Sequence, residues 1–291
     1  MTESPVETTL NEERFNKLTS IESQQYVIDK EPFRMLKIND ASILNTIEGR
    51  EICGQCFKSR KFFCYTCCKP VIDCKYFPRV KLPIKIDVIK HAREIDGKST
   101  AIHAAILAPE DVTVYIYPDF PKFSSNDKVV LIFPSKNSVT IGEFLSLELQ
   151  KNRNSNEHDM TFIKNNEFSI TRAVFIDSTW NQTKSIYKDQ RLKNLPCIVL
   201  KSRISQFWRH QKKSPRWYLA TIEAIHQFLL ELHDCIYGTV KNYALNETNI
   251  ISTKLYCGQY DNLLYLFKYM YDKIHLIYDH NKLWAYKRPL I

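Results

Sequence analysis

Short apolar runs recur along this chain and are separated by polar or amphipathic segments. Residues 173–176 are all apolar and predict a buried strand. Apolar and charged residues alternate over 84–88, which predicts a half-buried strand. Residues 112–117 and 129–133 predict two more strands, each closed by a proline, and 198–200 predicts another.

Helical spacing fills the segments between these runs. Ser99 or Thr100 can cap a short helix that Pro109 ends. Further helices are predicted over about 140–150, 181–193 and 260–277. A helix capped by Thr221 would carry one apolar face, formed by Ile222, Ile225, Phe228, Leu229 and Leu232.

Strands that alternate with helices indicate an α/β fold with a largely parallel sheet. Residues 1–45 are polar and weakly patterned, so we expect a flexible tail, although 26–28 and 33–36 could dock or form a short helix. Residues 151–167 are polar and predict a surface insertion. The predicted division of the chain is 1–45 for the tail, 46–82 for a cysteine-rich module and 83–291 for the α/β domain.

The composition favours a globular protein with an anionic partner. Of 291 residues, 44% are hydrophobic, and 41 Lys and Arg against 32 Asp and Glu give a net charge of +9. Such basicity is typical of RNA-binding proteins but does not prove RNA binding. The sequence contains neither an apolar stretch of about 20 residues nor an apolar leader. We therefore expect an intracellular protein without membrane association.

Nine cysteines in a reducing compartment favour metal ligation over disulfides. Cys53-x2-Cys56 and Cys64-x2-Cys67 are two knuckles seven residues apart, which predicts a structural zinc site with four thiolate ligands. The alternative, a redox-active pair, predicts one knuckle and not two. The basic residues between the knuckles, Lys58, Arg60 and Lys61, suit phosphate contact and a solvated loop equally well.

The most informative string is Asp177-Ser178-Thr179-Trp180, which follows the buried run 173–176. An acid, two hydroxyls and an indole at the carboxyl end of a parallel strand lie where α/β sheets bind ligands. Spacing alone favours a simpler interpretation, in which the same residues cap the next helix.

The string resembles the signature of the DTW-domain family, with a serine placed between the acid and the threonine. The resemblance extends over roughly residues 50 to 275. It is carried by VKLPIKID (80–87), GKSTAIHA (97–104), WNQT (180–183), FWRHQK (207–212), TIEA (221–224) and GQYDNLL (258–264). It implies a SPOUT-like fold, in which a trefoil knot in the chain builds the cofactor site.

The resemblance also implies an activity. The family's eukaryotic tRNA-modifying members transfer the 3-amino-3-carboxypropyl group of S-adenosylmethionine to N3 of a D-loop uridine, at tRNA position 20, and release 5′-methylthioadenosine. It further implies tRNA as the partner and the nucleus as the compartment, with the cytoplasm also open. No protein partner can be inferred.

Asp177 is the predicted general base, because N3 of uridine must lose a proton and a positioned carboxylate can accept it. The resemblance places further residues around the cofactor: Ser99, Thr100, Thr179, Trp180, Leu200, Thr221 and Glu223. Alternatives remain open for three of them. Thr221 and Glu223 also suit the first turn of a helix, and Trp180 also suits the core.

Cations alternate with aromatic rings after residue 200, as expected for contact with an unpaired RNA loop. The predicted RNA-binding residues are Lys201, Arg203, Trp208, Arg209, Lys212, Lys213 and Arg216. The alternative is a basic surface loop anchored by ordinary aromatic residues.

Several signatures of other enzyme classes are missing from the sequence. It contains no GxGxxG and no P-loop, which disfavours a Rossmann-type methyltransferase. HExxH and the zinc-deaminase motif pair are also missing. Two alternatives to the transferase remain. One is a zinc-containing RNA-binding adaptor without catalysis, and the other is a SPOUT-type RNA methyltransferase.

Overall fold

Nine strands, within the part of the chain that the structure describes, form two small hairpins and one central sheet. The computed structural model describes residue 25 and residues 28–155, 169–211, 214–245 and 254–288, except for the side chains of 152–155, 180 and 181. The strands are β1 (Glu51–Ile52), β2 (Ser59–Arg60), β3 (Phe63–Cys64), β4 (Lys69–Pro70), β5 (Lys85–Lys90), β6 (Val112–Ile116), β7 (Val129–Ile132), β8 (Arg172–Asp177) and β9 (Cys197–Ile198).

The central sheet has the strand order β6-β5-β8-β7-β9, and every neighbouring pair is parallel. The predicted α/β fold with a parallel sheet is therefore confirmed. Strand β8 is the middle strand, and its last residue, Asp177, pairs in register with Lys90 of β5. Strand β9 covers 197–198, so it is shorter than the predicted 198–200.

Six α-helices lie wholly within the described residues. They are α1 (Ala101–Leu107), α2 (Ile141–Ser155), α3 (Trp180–Tyr187), α4 (Gln190–Lys193), α5 (Thr221–Tyr237) and α6 (Tyr265–Ile277). The helix predicted over 260–277 is in fact two elements, because a 3₁₀ turn over Asp261–Leu264 precedes α6. No helix in the described ranges has the length and apolarity that a bilayer crossing requires.

Both faces of the sheet are covered, which explains why residues 173–176 of its central strand are all apolar. The predicted apolar face of α5 is completely buried, and Phe228 contacts Phe175 of β8 edge-on with ring centroids 5.9 Å apart. Burying a side chain such as Phe228 contributes about 2–3 kcal/mol. A second cluster on the opposite face contains Val174 of β8 and Ile186 of α3.

The described part of the predicted tail packs against the domain. Phe33 is buried and its ring contacts those of Phe267 and Tyr271 edge-on. Hydrophobic burial therefore docks the segment around Phe33 on the domain, as the alternative interpretation of 33–36 expected, in place of a flexible tail. Residues 1–24 lie outside the described residues. Of the predicted insertion, 151–155 continue α2, and 156–167 are likewise not described.

The cysteine-rich hairpins share this core. Phe62 is buried and contacts Tyr269 of α6 edge-on, with ring centroids 5.5 Å apart. Phe63 is also buried and contacts the ring of His103 in α1 at 5.8 Å. The predicted boundary between residues 82 and 83 therefore does not interrupt the packing.

Candidate active site and metal centre

The central strand β8 carries Asp177 to the carboxyl end of the sheet. The strand's apolar residues are held between the two covered faces, and the chain leaves the sheet directly after Asp177. The Asp177 side chain is only 5% exposed. Ligands of parallel α/β sheets bind at this edge, so the buried carboxylate forms the centre of the candidate site.

Two hydroxyl groups hold the carboxylate of Asp177. Ser99 Oγ donates a hydrogen bond to Oδ2 at 2.6 Å, and Thr221 Oγ1 donates to Oδ1 at 2.5 Å. Next to them, Thr100 Oγ1 accepts a hydrogen bond from the Ile222 backbone N–H at 3.2 Å. The structure thus brings together four residues that the sequence predicted for the site, and they come from three distant segments.

Thr221 does not cap helix α5, in contrast to the prediction. Ala220 holds the N-cap position, and its backbone N–H donates to Glu223 Oε2 at 2.8 Å. The Thr221 hydroxyl is bonded to Asp177 instead. The first residue of α5 is therefore part of the candidate site, and Glu223 satisfies the start of the helix.

Burial raises the pKa of Asp177, although the hydrogen bonds from Ser99 and Thr221 and the charge of Lys90 act in the opposite direction. Lys90 is itself buried, and its Nζ pairs with Asp96 Oδ1 at 2.7 Å. Because Asp96 already pairs with it, Lys90 only partly neutralises Asp177. The result is a carboxylate that accepts a proton more readily than an ordinary aspartate.

Glu94 is a second carboxylate near the site, and the sequence analysis missed it. Burial raises the pKa of Glu94, and the charge of Asp177 raises it further. The Glu94 carbonyl accepts a hydrogen bond from Lys90 Nζ at 2.9 Å. Glu94 follows the end of β5, the neighbour of β8. The rule that parallel strand ends meet at one edge could have identified it together with Lys90 and Asp96.

Three other predicted cofactor residues lie apart from this hydroxyl–carboxylate cluster or are not fully described. Thr179 is exposed and begins α3 in a capping box, in which its N–H donates to Gln182 Oε1 at 3.1 Å. Leu200 is half-buried against the main core. Trp180 is the first residue of α3, and its side chain lies outside the described part.

Glu223 is buried, and its carboxylate is hydrogen-bonded to other residues of the protein. Its carboxylate accepts hydrogen bonds from Ser205 Oγ at 2.6 Å, from the Gln206 N–H at 2.7 Å and from the Ala220 N–H at 2.8 Å. This arrangement fastens the turn at 205–206 to the start of α5. The arrangement supports the alternative interpretation, in which Glu223 stabilises the first turn of the helix. Contact between Glu223 and the cofactor stays a prediction.

The basic segment after residue 200 is only partly exposed. Lys201 and Arg209 are exposed and Arg203 is half-buried, whereas Lys212 and Lys213 lie outside the described residues. Trp208 is half-buried, and its ring lies 5.1 Å from that of Phe267. Trp208 is therefore at least partly an anchor for the segment, as the alternative interpretation expected.

Arg216 was predicted to contact RNA, and the structure places it in the interior. It is 2% exposed, and its two terminal nitrogens bond both oxygens of the Asp29 carboxylate at 2.7 and 2.8 Å. A guanidinium in such a bidentate pair is not available to a phosphate. The prediction is therefore wrong for this residue. Its partner lies 187 positions earlier in the chain, so the local pattern of cations and rings did not reveal the pair.

The four predicted metal ligands converge. One ligand atom from each of Cys53, Cys56, Cys64 and Cys67 lies within 4.8 Å of all the others, and the sulfurs of Cys56 and Cys64 are 3.5 Å apart. A tetrahedral zinc site with Zn–S bonds of about 2.3 Å needs sulfurs about 3.8 Å apart. The donor set and its spacing therefore fit Zn²⁺ in a closed, structural site.

The two knuckles are built alike. Backbone N–H groups of Cys56 and Gln55 lower the pKa of Cys53. Burial raises the pKa of Cys64, but backbone N–H groups of Cys67 and Thr66 and the neighbouring thiols bring it down to about 6. Burial and the other thiols raise the pKa of Cys67. Four thiols this close can ionise together only with a cation between them.

The cysteine-rich module lies against the candidate active site. Thr66 Oγ1, from the second knuckle, donates to Asp96 Oδ2 at 2.8 Å, while Asp96 Oδ1 holds Lys90. From the other side, Arg209 Nη2 donates to the Gly97 carbonyl at 3.1 Å. The loop at 94–99 therefore joins the metal centre, the basic segment and the carboxylate of Asp177.

Known proteins are similar to this chain over most of its length. The family model of the DTW domain matches residues 61–275, which include the second knuckle and the whole sheet. The chain is 38% identical to tRNA-uridine aminocarboxypropyltransferase 1 of Mus musculus, over 85% of each chain. It is 39% identical to the Xenopus tropicalis protein of that name, over 90% of each, and 38% identical to the Homo sapiens one, over 91% of each. No solved structure matches it.

Proposed function

The chain belongs to the DTW domain family, and from this premise we propose that it is a tRNA-uridine aminocarboxypropyltransferase. It would transfer the 3-amino-3-carboxypropyl group of S-adenosylmethionine to N3 of a D-loop uridine, at tRNA position 20. The observation that carries the proposal is the buried Ser99–Asp177–Thr221 cluster. It lies at the ligand-binding edge of the sheet and is built from three of the segments that resemble the family.

The proposed reaction needs one proton transfer and one displacement. Asp177 accepts the N3 proton of uridine, and the N3 electron pair attacks Cγ of the aminocarboxypropyl chain. The Cγ–S bond breaks, and its electrons go to the sulfonium, which leaves as neutral 5′-methylthioadenosine. No acid is needed for a leaving group that is already cationic.

The environment of Asp177 supports its role as the base. A carboxylate has about four lone-pair positions, and two of them accept the hydroxyls of Ser99 and Thr221, so two remain for a substrate. Burial raises its pKa, which moves it toward the range in which a general base works best. The two hydroxyls also fix its orientation, which favours in-line reaction.

The remaining details follow from the family resemblance. Thr179, Trp180, Leu200 and Glu223 are proposed to contribute to the cofactor site, Glu223 through the turn that it fastens. A SPOUT-like trefoil knot and nuclear localisation belong to the same proposal. The four cysteines would hold one zinc ion that stabilises the module, and four thiolates leave no open position for a reacting group.

The RNA-binding part of the proposal is carried by Lys201, Arg203 and Arg209, with Lys212 and Lys213 added from the sequence. Reversal of the exposed charge in Arg209→Glu should weaken tRNA binding and flatten its dependence on salt. Lys184→Glu, on α3, is a control with the same change in charge. Equal effects of the two variants would mean that the segment is an ordinary surface loop.

The direct test is to incubate the purified protein with S-adenosylmethionine and tRNA and to identify the small-molecule product. The proposal predicts 5′-methylthioadenosine. S-adenosylhomocysteine would show that the protein is a methyltransferase, and neither product would favour a zinc-containing RNA-binding adaptor.

A further inference from the structure

The first knuckle presents an aromatic side chain to solvent at a backbone position that disfavours one. Phe57 directly follows the ligand Cys56, and its φ is 56°. This left-handed conformation costs an ordinary L-residue about 1–2 kcal/mol. The ring is 78% exposed, so its burial does not offset that cost. Phe57 therefore adds strain to the module without adding to its core.

The second knuckle shows that the backbone conformation belongs to the motif. Cys68 occupies the matching position after Cys67, with a φ of 55°, and it is half-buried. Both knuckles thus require a left-handed residue after their second ligand, and glycine would meet that requirement at least cost. The backbone accounts for the conformation of Phe57, but it does not account for an exposed ring there.

The surroundings of Phe57 match the chemistry of single-stranded nucleic acid. Ile52, on the adjoining strand β1, is 68% exposed. Residues 48–61 contain four cations, Arg50, Lys58, Arg60 and Lys61, against two carboxylates, Glu48 and Glu51. Proteins bind single-stranded nucleic acid with this combination, in which exposed rings stack on bases and cations bind the phosphates.

The position of the knuckle connects this surface to the candidate active site. Arg60, three residues after Phe57, donates from Nη2 to Thr66 Oγ1 at 3.3 Å, and Thr66 Oγ1 donates in turn to Asp96 Oδ2 at 2.8 Å. The strand that follows Phe57 is thus joined through Thr66 to the loop that holds Lys90 beside Asp177. Arg209 reaches the same loop at Gly97. The metal module and the basic segment therefore both contact the same loop next to the site.

We propose that Phe57 is a nucleobase-stacking subsite for the tRNA substrate. An unpaired base of the substrate loop stacks on its ring, and Lys58 and Lys61 bind the adjoining phosphates, so that a neighbouring uridine reaches Asp177. The inference rests on the proposed function because it takes tRNA as the substrate. It adds a second contact region, on the metal module, to the one predicted after residue 200.

The test compares Phe57→Gly and Phe57→Tyr with the wild-type protein. Zinc content, thermal stability, tRNA affinity at two salt concentrations and the kcat and KM for tRNA are measured. Stacking on one base contributes about 1–3 kcal/mol, so Phe57→Gly should bind tRNA about 5- to 150-fold more weakly. KM should rise and kcat should be retained. Phe57→Gly should keep its zinc and melt at the same or a higher temperature, because glycine relieves the strain.

Phe57→Tyr should bind as wild type does, since it retains the ring. The salt dependence of Phe57→Gly should be unchanged, because no charge is lost. Tyr278→Gly removes an exposed aromatic residue at the end of α6 and should leave tRNA affinity unaltered. If Phe57→Gly loses zinc, Phe57→Leu replaces it, and weaker binding by the leucine variant than by the tyrosine variant supports the subsite.

Wild-type tRNA affinity in Phe57→Gly, or in Phe57→Leu where that variant replaces it, would overturn the inference. The proposed function is judged separately from it. If the wild-type protein binds tRNA but transfers nothing, the transferase assignment fails, while the comparison of Phe57 variants by affinity still decides whether the subsite exists.

Discussion

Two buried aspartates in this protein have opposite surroundings. Asp177 ends the central strand and receives two hydroxyl hydrogen bonds, and burial raises its pKa. Asp261 precedes α6 and is completely buried. Burial acts on Asp261 as well, but its hydrogen bonds outweigh it and lower its pKa.

The difference lies in how many donors each carboxylate receives. The Asp261 carboxylate accepts hydrogen bonds from His226 Nε2 (2.9 Å), Tyr243 OH (2.9 Å), Tyr256 OH (2.6 Å) and the Lys37 backbone N–H (2.7 Å). Four donors fill the lone-pair positions of Asp261, whereas about two lone-pair positions of Asp177 accept no hydrogen bond. A saturated carboxylate joins distant segments and stays ionised. An incompletely saturated one, at the edge where ligands bind, is available for chemistry.

Replacing Asp177 should have the largest effect on activity. Asp177→Asn retains the shape of the side chain but removes the basic oxygen, so transfer should fall by roughly 100- to 10,000-fold. Binding of tRNA and of S-adenosylmethionine should change little, as should the free energy of unfolding. Single-turnover kinetics measures the rate of transfer, and chemical denaturation measures the free energy of unfolding.

Asp272→Asn is the control, because it makes the same change at an exposed carboxylate of α6. A near-normal rate in Asp177→Asn would mean that water or the tRNA takes the proton. Loss of folding in place of rate would make Asp177 a structural cap.

Replacing Asp261 should lower the stability of the protein and leave the rate of transfer unchanged. Asp261→Asn keeps one acceptor oxygen but turns an amide N–H₂ toward donors that cannot all rotate away. The expected loss of unfolding free energy is about 3 kcal/mol, measured by denaturant titration. The fraction that remains folded should still transfer at the normal rate. A rate defect at full stability would end the distinction between the two aspartates.

Removing a metal ligand should lower the stability of the protein and also disturb the site around Asp177. Cys53→Ser should lower the zinc content and cost about 3 kcal/mol, roughly a quarter of the 10–16 kcal/mol typical of structural zinc. Transfer should fall too, because Thr66 and Asp96 link the module to Lys90. Elemental analysis and denaturation measure these effects, with Cys235→Ser, an exposed cysteine, as the control. A stable, metal-free wild-type protein would refute the site.

Removing one donor from Asp177 should have the smallest effect. Thr221→Val should slow transfer about tenfold, since one hydrogen bond to the carboxylate is worth roughly 1.4 kcal/mol. The lost hydroxyl stabilised the ionised form, so the pKa of Asp177 rises further and the acidic limb of the pH–rate profile moves to higher pH. The profiles of wild type and Thr221→Val, measured side by side, test this. A shift to lower pH, or none, would show that Asp177 is not the titrating base.

The sequence predicted what depends on local pattern. The buried face of α5 follows from the spacing of its apolar residues, and the clustering of the four cysteines follows from two short knuckles. The partners of Asp177 could be named only from resemblance, because Ser99 and Thr221 lie 78 and 44 positions away. Arg216 was misassigned for the same reason, since composition does not reveal a distant partner such as Asp29.

The most direct measurement is isotope transfer into tRNA from S-adenosylmethionine labelled either in the aminocarboxypropyl chain or in the methyl group. The account predicts that the chain label enters a D-loop uridine of tRNA, that the methyl label leaves with 5′-methylthioadenosine, and that Asp177→Asn abolishes nearly all incorporation. Incorporation of the methyl label, or of neither label by a folded wild-type protein that binds tRNA, would contradict it.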